Sequence, residues 1–307
     1  MKRWLAIALI CVASPLSAQS AGKAGAQVLQ VNAGARAAAL SGAYSAARGD
    51  ADALFYNPAG IALARHGASL AYESYSLDVA FGSFAAFTRL GGARIGGSVA
   101  FLDAGEIGEI VPNAEFGGTT GIATGNAVSA SETAARLSIA LPLQDGRLRV
   151  GGSVGVVSLA MAEVSESAPI VDAGVQYDIA AVTISAALRN FGGKMAGDPL
   201  PTELRLGLMA PLATASGLGL NAFVDGISRV REGSYGVAAG VEAGIIPSSS
   251  REIGAVARIG YDAEADQLSG IRFGAGVTVQ SLALDYAYQN FEFIGGVHRL
   301  GLRWTIR

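Results

Sequence analysis

In the last stretch of the chain two kinds of residue take turns. Leu300, Leu302, Trp304 and Ile306 fall on one parity, and Arg299, Gly301, Arg303 and Thr305 on the other. Successive side chains of a strand point to opposite faces, so this run has one apolar face and one that is polar or tiny. The same parity recurs in Ile271, Phe273, Ala275, Val277 and Val279 against Arg272, Gly274, Gly276, Thr278 and Gln280. It recurs again in Leu204, Leu206, Leu208 and Ala210 against Glu203, Arg205, Gly207 and Met209. A helical period cannot sort residues this way, so the repeated unit is a strand.

Composition says what surrounds these strands. Hydrophobic residues make up 51% of the chain and charged residues 15%, against the roughly 25% charge of soluble domains. After the first twenty positions no segment approaches the roughly 20 consecutive apolar residues of a membrane-crossing helix. An apolar chain without such helices enters lipid as strands, and only a closed ring of strands leaves no backbone group unpaired there. The 42 glycines follow no three-residue period, which excludes a collagen helix. The net charge of -3, with no cluster of Lys and Arg among aromatics, excludes a nucleic-acid partner.

About fourteen alternating segments can be counted, from 68–75 to 296–306, an even number as a single-chain bacterial barrel has. Connections after even segments are tight, as at Gly91-Gly92 and Gln280-Ser281. Those after odd segments are mostly longer, as at 104–131, 160–167 and 192–201, which puts short turns on one rim and loops on the other. The expected fold is an all-β transmembrane antiparallel barrel over 68–307, with outer-membrane lipid as its surroundings. Tyr72, Phe81, Phe101, Tyr177, Phe191, Tyr261, Tyr286, Tyr288 and Trp304 are candidates for its interfacial girdles. Arg149, Asp172, Gln176, Asp178, Arg189, Glu203, Arg205, Glu252, Arg258, Arg272, Asp285 and Arg303 are candidates for the lumen. Both signs are present there, so mutual pairing is expected. The loop 104–131, with Glu106, Glu109 and Glu115, is the candidate external contact surface.

Residues 1–20 read as a secretory signal peptide: Lys2 and Arg3, an apolar run from Trp4 to Val12, then a zone of small residues. The single cysteine, Cys11, lies inside it. Residues 21–67 have a different pattern. Gly34 to Arg48 is Ala-rich and reads as a short helix. Asp50 is placed to cap a turn through Ala51–Leu54, and Pro58 ends it by forcing Asn57 out of the helical region. Such a segment is too short to be a domain. A lumen of this width, which wall side chains alone do not fill, is where it would dock as a hatch.

The run Gly34-Ala35-Arg36-Ala37-Ala38-Ala39-Leu40-Ser41-Gly42-Ala43-Tyr44, followed by Asp50 to Gly60, resembles the N-terminal signature of the PorV/PorQ family, part of the FadL-like superfamily. Leu188 to Gly193, Pro201 to Gly207, and Leu284 to Tyr288 leading to His298-Arg299 extend the resemblance over most of the chain. It implies a barrel of fourteen strands with a hatch built around Asp52, Asn57, Pro58, Ala59 and Gly60. For PorV it implies a part in type IX secretion, with secreted cargo or secretion subunits as partners; for FadL-type relatives, passage of hydrophobic small molecules. A soluble all-β secreted protein is the third reading, against which the low charge counts. Enzymatic activity is not expected: His66 and His298 lie in no metal-spaced cluster, no Gly-x-Ser-x-Gly elbow is present, and no cofactor or metal is called for.

Overall fold

In the computed structural model, residues 24–75, 78–114, 117, 120–215, 217–245, 253–263, 270–291 and 295–306 are described. The signal-peptide reading, Cys11, Glu115 and Glu252 lie outside them. The strands are β1 (His66–Ser74), β2 (Ala80–Leu90), β3 (Ala93–Pro112), β4 (Gly121–Leu143), β5 (Leu148–Met161), β6 (Val164–Ile179), β7 (Val182–Gly192), β8 (Lys194–Met195), β9 (Asp198–Pro199), β10 (Glu203–Ala215), β11 (Leu218–Arg229), β12 (Ser234–Ile245), β13 (Ile253–Asp262), β14 (Ile271–Val279), β15 (Leu282–Phe291) and β16 (Gly295–Ile306). All but β8 and β9, which pair with each other between β7 and β10, join one closed antiparallel barrel. Closure is made by β1 against β16, with His66 opposite Ile306 and Ser74 opposite His298. The ring has fourteen strands and no open ladder edge along its wall.

Alternation sorts the two faces. Leu70, Leu302 and Leu284 stand in a row across β1, β16 and β15 and are 56%, 43% and 57% exposed. Their inward neighbours Ser69 and Asp285 are buried. An apolar belt this continuous is an aggregation surface in water and the stable surface in hydrocarbon.

Three expectations need correction. The segment 104–131 is not a loop: β3 and β4 pair up to Pro112 and Gly121 and form a two-stranded ribbon beyond the wall. Likewise β5 and β6 pair up to Met161 and Val164, leaving a tight turn where 160–167 reads as a longer connection. In both places mostly exposed residues carry the ladder past the lipid belt without its alternation, so the belt's alternation stops before the strands do. The third concerns Phe81, which belongs to the lumen rather than a girdle. It is buried, with the Arg299 guanidinium 5.2 Å from its ring centroid.

Exposure alone does not tell lipid from water, but a charge does. Leu302→Lys, at mid-strand, should cost about 2–4 kcal/mol of folding stability in phospholipid vesicles. Ile110→Lys on the ribbon, where the parent side chain is 69% exposed, should cost less than about 0.5 kcal/mol. Urea titration of both variants checks this; equal costs would overturn the lipid belt.

Candidate functional site

The segment from Ala24 to Arg65 fills the barrel, and nearly all of it is buried. It is alanine-rich because it threads between inward side chains with little room to spare. The helix α1 (Ala35–Ala39) is shorter than the Ala-rich run suggests. Ser41 and Gly42 adopt left-handed conformations (φ 56° and 75°), and the Gly42 N–H donates to the Ala37 carbonyl at 2.9 Å. The chain turns there because it has reached the wall: a Cβ on Gly260 would stand 2.6 Å from Leu40 C.

Asn57, Pro58, Ala59 and Gly60 sit against β5 and β6. Asn57 is extended, and its Oδ1 accepts the Ala59 N–H at 3.0 Å, starting a 3-10 turn over Pro58–Ile61. Its Nδ2 donates to the carbonyls of Ser45, at 2.9 Å, and Val175, at 3.2 Å. Pro58 thus opens a turn as well as ending one, since its fixed φ suits a first helical position. The wall is glycine where this turn meets it. A Cβ on Gly174 would lie 2.0 Å from Asn57 Oδ1, and one on Gly151 would lie 2.6 Å from the Ala59 nitrogen. Gln176 fixes the same corner by donating to the carbonyls of Ser45 and Ala47, both at 2.9 Å. Arg149 donates to Gln176 at 3.2 Å and to both carboxylate oxygens of Asp178, which also pairs with Arg48 of the hatch.

On the opposite side, six charges form a closed ring of alternating sign. Arg36 donates to both oxygens of Glu242 at 2.9 Å. Arg258 bridges Glu242, at 2.6 Å, and Asp285, at 2.8 Å. Arg303 bridges Asp285, at 2.5 Å, and Asp50, at 3.1 Å. Asp50 returns to Arg36 at 2.8 Å. Asp50 stands at the start of the turn Ala51–Phe55 but makes no side-chain cap there; its carboxylate serves this ring. Tyr44 donates its hydroxyl to Asp50 at 2.7 Å. The ring contributes no net charge, and losing one member would strand a buried ion at a cost of about 3–5 kcal/mol.

Other candidate lumen residues form separate clusters. Arg189 and Arg205 share Glu203, at 2.8 and 2.9 Å, and Arg205 reaches the hatch at the Gly42 carbonyl. Asp172 holds Arg136 and the backbone N–H of Asn190, at a register shift between β6 and β7. Arg272 faces Asp262 at 3.8 Å. Arg136, Asp225 and Glu242 escape the sequence reading, and Asp50, read there as a cap, and Arg36 are not placed by it among the lumen charges. Asp225 accepts the backbone N–H groups of Tyr44 and Ser45. The signal for Asp225, Arg136 and Glu242 was inward parity, the same that marks Arg205; the hatch residues carry no such period. His66 bonds Thr88 and His298 bonds Tyr286, both at exposed positions.

Beside the six-charge ring lies a cavity of about 900 Å³ between the hatch and the wall from β10 to β16. Arg36, Asp50, Glu242, Arg258 and Arg303 line its charged side, and Met209, Phe223, Val256 and Ala283 its apolar side. Leu63, Gln280, Ser281 and Ile306 place it at the rim of short turns. The fourteen-strand ring is closed and shows no gap in a strand. Its ladder is interrupted by register shifts, at β3–β4, β6–β7 and β10–β11.

Among solved structures, the chain is similar to the toluene transporter TbuX of Ralstonia pickettii, with a TM-score of 0.60 and 13% identity over 89% of this chain and 98% of that one. It is similar to the CymD monoaromatic hydrocarbon channel, with a TM-score of 0.62 and 9% identity over 90% and 97%. It is also similar to a FadL homologue of Pseudomonas aeruginosa, with a TM-score of 0.57 and 12% identity over 90% and 98%. No protein-family model and no curated protein matches it. At these identities the likeness is one of fold: a FadL-like barrel. It carries no specific tie to PorV or PorQ.

Two predictions follow from the hatch contacts. Gly174→Val should displace the Asn57 turn and raise the permeability of liposomes carrying the protein to a small dye, while Gly152→Val, facing outward on β5, should not. Equal leakage from both would contradict the docking. The second concerns Asp52, which faces Gly34 and has an unpartnered Oδ2. Burial, then the neighbouring Asp50, pushes its carboxyl up to about 7. A carboxyl raised in the folded state contributes stability fully below its unfolded value, about 4, and loses it as pH rises through the folded value. Urea midpoints should therefore fall between about pH 4 and 7 in the parent relative to Asp52→Asn; parallel pH profiles would refute this.

Proposed function

We propose that the chain is a non-enzymatic outer-membrane barrel that passes hydrophobic small molecules around its hatch, with the short-turn rim in the periplasm. The carrying observation is the cavity of about 900 Å³ beneath the six-charge ring. Its Met209, Phe223, Val256 and Ala283 give an apolar molecule a surface, and the rim gives it a way out. The ring suits such a passage for an electrostatic reason. When the hatch moves, Arg36 and Asp50 keep each other, and Glu242, Arg258, Asp285 and Arg303 remain a neutral chain on the wall. No unpaired ion is left behind on either side.

The resemblance at the N-terminus implies a secretion role, and the solved structures lend it no support. They favour passage of hydrophobic molecules, since TbuX is described as a toluene transporter and CymD as a monoaromatic hydrocarbon channel. The test is uptake of labelled toluene and labelled oleate by cells expressing the chain. Expression should raise uptake of one or both several-fold over cells lacking it. Val256→Trp, which narrows the cavity on its apolar side, should lower the gain while the protein still migrates differently with and without boiling. No gain on expression would refute the passage reading.

A further inference from the structure

Beyond the lipid belt, β3 and β4 continue as a ribbon whose outer edges have no strand neighbour among the described residues. Pairing of β3 with β2 stops at Asp103 opposite Ala80, while its pairing with β4 runs on to Pro112. On the other side, β4 pairs with β5 only from Ala130. Residues 104–112 therefore offer a free strand edge about 30 Å long, at roughly 3.3 Å per residue. A two-stranded ribbon standing alone in water is marginal, and an open edge is a template for another strand. This one also exposes Ile110, at 69%, and Val111, at 39%.

The charge around this edge is of one sign. Between Arg94 and Arg136 the sequence has no Lys, Arg or His, and between Arg149 and Arg189 again none. Asp103 and Glu106 are exposed on the ribbon, and Glu163 and Glu166 on the adjoining β5–β6 hairpin. Glu109 lies on the ribbon too, accepting from Thr124 and Asn126. Charge that has been placed inside the barrel in opposed pairs is here left unopposed. A second copy of this chain would bring acid against acid along the edge. The phosphates of a lipid surface would meet the same repulsion.

We propose that the β3 edge, residues 104–112, is a docking strand for an extended segment of a partner protein carrying lysines or arginines among apolar residues. The partner adds a strand to the ribbon: backbone hydrogen bonds supply affinity, and the acidic residues set orientation and choice. Ile110 and Val111, on the two faces of the edge strand, meet the partner's apolar side chains. This surface is independent of what passes through the barrel.

The test uses the full chain in lipid nanodiscs and a labelled synthetic peptide that alternates lysine with valine and threonine over about ten residues, enough to span the edge. Three controls separate the causes: the same peptide with glutamate for lysine, the same peptide N-methylated at alternate amides, and a variant whose residues 105–130 are replaced by a tight turn. The lysine peptide should bind the parent, and each control should weaken binding at least tenfold. Glu106→Gln with Glu109→Gln should weaken it as well and flatten its salt dependence, in a protein that still shows heat-dependent migration. Binding by the N-methylated peptide equal to the unmodified one would overturn strand addition. Unchanged binding by the shortened variant would overturn the location. Failure of the lysine peptide to bind while lipopolysaccharide vesicles bind through the ribbon would overturn the choice of partner.

Discussion

A ring of fourteen strands is wider than its own side chains can fill, and this constraint shapes the rest of the molecule. Closing the ring pairs every wall strand on both sides, which is the condition for standing in hydrocarbon. Closure at this circumference leaves a lumen. The chain fills it with the segment from Ala24 to Arg65, and that choice dictates an inner wall with glycine at 151 and 260, where hatch backbone meets the wall, and at 174, where the Asn57 side chain does. The outer wall, which meets only lipid, is free to be bulky.

Filling the lumen with polypeptide brings buried polar groups, and the structure satisfies them in two ways. At the Asn57 corner, side-chain amides of Asn57 and Gln176 take up hatch and wall carbonyls, a neutral network that costs little to bury and holds firmly. Opposite it, hatch and wall meet through the close packing of Ala39 and Leu40 on Gly240, Gly260 and Gly274 and through a ring of charge that divides into two neutral parts. The Asn57 corner, with Arg48, Asp178 and Arg149 at its margin, is packed tight against β5 and β6, whereas the six-charge ring adjoins the cavity. The hatch is therefore held by amide contacts on one side and by a divisible ring of ion pairs, which includes Arg36 with Glu242, on the other.

Much of the wall was legible before any coordinates. Leu300, Leu302 and Trp304 against Arg299 and Arg303 gave the faces of β16, because a period of two is a local property that lipid on one side makes strict. The same parity would have yielded Arg136, Asp225 and Glu242. Phe81 misled because an aromatic near a strand end fits a girdle and a lumen equally well. Parity is relative to a register, and its neighbours Ala80 and Gly82 are too small to reveal which face is which. The ribbon was taken for a loop for a related reason: beyond the lipid its residues alternate in nothing, and pairing there is made by backbone groups that every residue carries.

The sequence by itself determined that this chain forms a closed strand ring with an apolar outside, that a non-strand segment precedes it, and that both signs of charge face inward. These are matters of composition and short-range period. Only the tertiary structure decided which charges meet, for Arg36 and Glu242 are far apart in sequence and become partners only when the hatch lies in the ring. It alone decided that the helix stops at Ala39, where the wall at Gly260 turns the chain. It also decided that β3 outruns β2 and leaves its acidic edge open. Each of these depends on the distance between elements that only closure of the barrel fixes.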